Sequence, residues 1–137
     1  MLERIKCNLL KYTLVVDGIV SVAAGVAFLA FSGIVAELVG PAFTGPIVMS
    51  LGAVLFAWGA FHLALSSQDS PWVAGVRIAI AGDALWVLGS IAVLVIDWNG
   101  LTTTGTVFIG VLAIAVADIM LLKIKGLGDD RRAALAV

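Results

Sequence analysis

Charged side chains are scarce in this 137-residue chain: Asp, Glu, Lys and Arg together make up 12% of it. A soluble domain carries about 25%, because its surface has to be solvated. With 62% hydrophobic residues and a mean hydropathy of +1.17, the shortage points to lipid as the main solvent. Cysteine is limited to Cys7, which excludes an intrachain disulfide and a dithiol redox pair. Cys7 reads as an ordinary buried or interfacial thiol on the reducing side of a membrane. The single histidine, His62, is too little for a di-haem bundle or a His-rich metal site. No phosphate loop and no Ser/His/Asp nucleophile setting occurs, and the bases are too few for nucleic-acid binding. No catalytic residue, no metal and no cofactor is therefore expected.

What the chain has instead is long apolar runs. Trp72 to Ile96 is 25 residues, roughly 37 Å as a helix, against about 30 Å of bilayer hydrocarbon. Further runs cover residues 12–35, 47–65 and 106–122. They predict an all-α polytopic membrane protein: four transmembrane helices in an up-down bundle, forming a single domain over residues 1–137. Gly40-Pro41, Gly45-Pro46 and Ser66 to Pro71 are turn and helix-stop signals, and Pro46 and Pro71 suit helix starts. Asn99-Gly100 marks the last turn, with threonines able to cap the helix that follows. Residues 1–11 read as an amphipathic lead-in along the interface, and 123–137 as a frayed or surface-lying cytoplasmic tail. The first run contains Asp17 and is too long for a signal-peptide core, so no cleaved segment is expected.

Orientation follows from the bases. Arg4, Lys6, Lys11, Arg77, Lys123, Lys125, Arg131 and Arg132 all fall on one side, whereas the first and third connections offer only Glu37 and Asp97. The positive-inside rule places both termini and the 66–71 connection in the cytoplasm of a multi-pass inner-membrane protein. Tyr12 and Trp72 then belong at the inner interface and Trp98 at the outer.

Leu14 to Ser21 aligns with Ile80 to Val87, and Leu51 to Leu63 with Ile109 to Leu121. The match suggests two helical-hairpin repeats related by an axis along the membrane normal.

Ionisable residues inside the apolar runs are the candidate site, because a charge at the bilayer centre costs about 2.5–3.5 kcal/mol on insertion scales. Counting along the helices puts Asp17, His62, Arg77 and Asp118 in one cytoplasmic-side layer, one from each helix, with Asp83 about 9 Å deeper. Such a layer suits an Arg–carboxylate network with His62 as a titratable member. Asp17, Ser21 and Gly25 share a helix face, and Asp83 shares one with Ala79, Trp86 and Ser90, so Trp86 is a candidate pocket wall.

The string Asp-x-x-Trp-Val-Leu-Gly-Ser at Asp83 to Ser90, with an acid in the first helix, resembles small bacterial four-helix integral membrane proteins of uncharacterised activity. That resemblance covers most of the chain and implies a fold but no activity. Small multidrug resistance transporters are similar in helix count and in an acid in helix 1, matched by Asp17. The chain departs from them in length, in its additional acids and in its loop pattern.

The expectation is thus a non-enzymatic membrane protein that acts by association, as a homo-oligomer or as an accessory subunit of a membrane complex. Its partners would be the lipid bilayer and other membrane subunits. The alternative is a small transporter or binding module for a lipophilic or cationic molecule, using Asp83 and Trp86 and coupled to protons through Asp17, Asp118 and His62.

Overall fold

The computed structural model describes the backbone of residues 2–96 and 100–135, and side chains from residue 9 onward except at position 133. The expectations for Cys7, Asp97, Trp98 and Asn99, and for the side chains of the lead-in, lie outside the described residues.

Among the described residues five helices form: α1 (Leu2–Ala30), α2 (Ser32–Val39), α3 (Gly45–Ser66), α4 (Val73–Ile96) and α5 (Thr103–Leu135). No strand occurs among the described residues. Segments of α1, α3, α4 and α5 are long and apolar enough to cross a membrane, so the all-α, multi-pass architecture is as the composition requires. Three boundaries differ from expectation. The lead-in is continuous with α1, which starts at Leu2. The first apolar run breaks at Phe31, whose φ of −122° and ψ of 31° leave the helical region, and α2 follows instead of an unbroken helix to residue 35. The last helix does not stop at residue 122 but continues through the polar stretch to Leu135.

Two packed pairs build the bundle. α1 lies along α3 and α4 along α5, with α1 against α5 joining the pairs, while the α3 and α4 backbones barely approach. The α1/α3 contact is backbone on backbone. A Cβ on Gly25 would sit 2.6 Å from Phe56 N, and one on Gly59 would sit 2.6 Å from Gly18 O. Gly18 and Gly25 face Gly59 and Gly52, each pair seven residues apart, so one helical stripe of hydrogen-only side chains faces another.

α2 ends at Gly40, whose φ of 141° disfavours any residue with a Cβ. Its terminal carbonyls are capped by the opposite connection. Thr102 N donates to Val39 O at 3.0 Å, and Thr102 Oγ1 donates to Leu38 O. The same Oγ1 accepts from Gly105 N at 2.9 Å. One threonine therefore closes α2 and starts α5, as the expected capping role requires.

Among the described residues, two apolar clusters fill the interior. At the end where the chain begins and finishes, the terminal end, Leu10, Leu14, Leu65, Val76 and Ala79 pack with Phe61, Ile80 and Leu127. At the far end, Phe28, Ala36 and Val48 pack with Val35, Phe43, Leu51 and Leu55. Gly126, beyond residue 122 on α5, seats against Leu10. The aligned positions are not packed alike. Asp17 and Asp83 converge, but Gly52 packs tightly on Phe28 whereas its counterpart Gly110 has nothing within 4 Å.

Candidate functional site

Each long helix sends one ionisable side chain to a single point between the apolar clusters. α1 supplies Asp17, α3 His62, α4 Asp83 and α5 Lys123, with exposures of 6%, 0%, 3% and 0%. The Lys123 ammonium is the hub. Nζ donates to Asp83 Oδ2 at 2.6 Å, to Asp17 Oδ2 and to His62 Nε2 at 2.8 Å, which uses all three of its N–H bonds.

The surrounding atoms hold each partner in place. His62 Nδ1 donates to Trp58 O at 2.8 Å, so the hydrogen rests on Nδ1 and the Nε2 lone pair faces the ammonium. Trp58 and Phe61 meet the imidazole edge-on, with ring centroids 5.1 and 5.9 Å away. Ser21 Oγ donates to Asp17 Oδ1 at 3.2 Å, one turn along α1. Asp17 Oδ2 lies 3.2 Å from His62 Nε2. Among the described residues no buried side-chain polar atom lacks a partner.

The layer expected from depth counting is corrected here. Asp83 is not a helical step deeper than Asp17 and His62; all three meet one ammonium. Distance along the chain from the 66–71 connection is not depth in the bundle, because Leu65, near the end of α3, packs against Gly75, Val76 and Ala79 of α4. Arg77 and Asp118 point away from the cluster and are exposed, so the guanidinium network does not form. Trp86 is half-buried one turn beyond Asp83, and its carbonyl accepts from Ser90 Oγ at 2.8 Å. Among the described residues no hydrogen bond or ion pair joins Trp86, Arg77 or Asp118 to the cluster.

Lys123, the first residue of the expected tail, is the residue that completes the site. A signal for it exists. Ile109, Ala113, Val116, Met120, Lys123 and Leu127 recur at alternating spacings of four and three, the seam of a packed helix. All of them are buried or half-buried. Asp118 lies off that seam.

Chemically, the arrangement is a buried charge network with one ammonium facing two carboxylates and a neutral imidazole. Asp17, His62 and Asp83 also form a possible metal-ligand set: one donor atom from each lies within 4.8 Å of the others. The chain matches no family model, no curated protein and no solved structure.

Proposed function

We propose that the protein is a non-enzymatic integral membrane protein that works by association, through the outward face of α4 and α5. The observation that carries this reading is Asp118. It lies within the apolar span of α5, five residues from Lys123 towards the middle of the helix, and it is exposed. Among the described residues it has no ion-pair partner. Carboxylates at membrane depth normally face a bundle interior and pair there. An outward one calls for a donor from another chain.

The surface around it suits close approach. Gly110 lies two turns along the same face, Gly89 is exposed on α4, and neither has an atom within 4 Å of its would-be Cβ. Glycine in a helix interior costs about 0.5–1 kcal/mol relative to alanine. On α1 and α3 that cost is offset by backbone contact inside the bundle; on α4 and α5 a neighbouring subunit would offset it. The partner is a second copy of this chain or another membrane subunit.

The test is the size of the protein isolated in mild detergent. Association predicts a homo-oligomer or a stable complex, dissociated by Asp118→Ala with unchanged helicity. A monomer with no bound subunit refutes it. For the cell membrane, the gathering of bases at the terminal end supports cytoplasmic termini. Reporter fusions at 43 and 101 are expected outside, and those at 68 and 137 inside. A cytoplasmic signal at 43 overturns that orientation.

A further inference from the structure

We propose that Asp17, His62 and Asp83 form a binding site for a divalent transition-metal ion of the zinc class, in which the Lys123 ammonium is the occupant that the metal displaces. This inference goes beyond the association reading and does not depend on it.

The three donor groups converge. Two carboxylate oxygens and an imidazole nitrogen lie within 4.8 Å of one another, and the point they share is marked by Nζ, 2.6 Å from Asp83 Oδ2 and 2.8 Å from His62 Nε2. Ligand bonds to zinc are about 2.0–2.2 Å, which places tetrahedral ligand atoms about 3.4 Å apart. His62 Nε2 and Asp17 Oδ2 stand 3.2 Å apart, so this edge already has the length a bound metal requires.

A metal needs the Nε2 lone pair free and the ring orientation held. The hydrogen bond from Nδ1 to Trp58 O does both, and it is the outer partner that metal-bound histidines use. Ser21 plays the corresponding part for Asp17. Three protein ligands and one open position form a recognised zinc arrangement.

One ammonium facing two carboxylates leaves one negative charge uncompensated in a site of almost no exposure. A dication neutralises both carboxylates. Lys123 leaves as an ammonium on its flexible four-carbon stem, swinging along α5 towards the terminal end, so no proton or covalent bond changes hands. Other divalent ions fit less well: magnesium prefers an octahedral shell of oxygen and retains its waters.

The experiment uses the full chain in mild detergent, stripped with a chelator and then titrated with Co2+. The visible d–d band reports low-coordinate binding, and elemental analysis counts the ions. Wild type is expected to take up a single ion per chain. Lys123→Met, which removes the competing cation, is expected to bind at least about tenfold tighter, and His62→Gln at least about tenfold weaker than wild type. If Lys123→Met does not fold, wild type against His62→Gln still decides. The proposal fails if wild type holds no more Co2+ than the Asp17→Asn/Asp83→Asn double variant. It also fails if binding is undiminished in His62→Gln, or if a folded Lys123→Met binds no tighter than wild type.

Discussion

Replacing Lys123 by methionine keeps a flexible unbranched side chain, one heavy atom shorter, and removes its charge, so it isolates most of what the ammonium does for the fold. Three interactions disappear, to Asp17, His62 and Asp83. Interhelical polar contacts in membranes average about 0.6 kcal/mol, which would put their loss near 2 kcal/mol. That sum omits the larger effect. Asp17 and Asp83 remain at 6% and 3% exposure with no counter-charge, and stranding a buried charge by removing its partner costs about 3–5 kcal/mol. The stranded charge dominates, and the expected destabilisation is about 3–5 kcal/mol, a large share of a total stability of about 5–15 kcal/mol. Adding Asp17→Asn and Asp83→Asn removes the stranded charges and should recover most of that loss, because amides can hydrogen-bond each other and the imidazole. The assay is unfolding in mixed micelles of a denaturing and a mild detergent, with chelator present, followed by far-ultraviolet circular dichroism. The reasoning is refuted if Lys123→Met loses less than about 1 kcal/mol, or if the triple variant is no more stable than the single one.

Other substitutions probe the rest of the fold by the same unfolding assay. Gly25→Val drives its Cβ into Phe56 N and Gly52 O, where backbone cannot give way, so the loss should reach or exceed the roughly 1–3 kcal/mol of ordinary overpacking; a neutral result would mean that α1 and α3 are not in backbone contact. Thr102→Val removes the cap on Gly105 and the bond donated to Leu38. It should cost about 1–2 kcal/mol and speed hydrogen exchange in the first turn of α5 before that in α3; equal exchange in the two mutant helices would refute the local role. Arg77→Ala should change stability by no more than about 0.5 kcal/mol, because the guanidinium is exposed and outside the cluster. A larger loss would show that Arg77 has a buried partner.

The four spans were legible because lipid imposes so strict a demand: a run of about twenty apolar residues has few other uses. Asp17, His62 and Asp83 were legible as candidates for the same reason, since each interrupts such a run. Their meeting point was not, because depth counted from a connection ignores how far two helices overlap beyond it. Arg77 and Asp118 stand out in the sequence by charge alone, and neither lies on the seam of its helix. Val76, Ala79, Asp83, Trp86 and Ser90 mark that seam on α4, as Leu10, Leu14, Asp17, Ser21 and Phe28 do on α1. Lys123 was hidden by its neighbours. Followed by Lys125, Arg131 and Arg132, it looks like the first base of a solvated tail, and only the four-three spacing of α5 separates it from them.

The division of the cluster between the two halves of the chain has a consequence for biosynthesis. Asp83 and Lys123 are 40 residues apart in the second half, so that half enters the membrane with a base to cover its acid. Among the described residues, Asp17 meets no lysine or arginine of the first half. Its ammonium is synthesised 106 residues later, and until then its carboxylate lacks that counter-charge. A chain that stops short of Lys123 leaves both aspartates without their ammonium. The cluster therefore closes last in synthesis, and only a chain read through Lys123 can cover both of its acids.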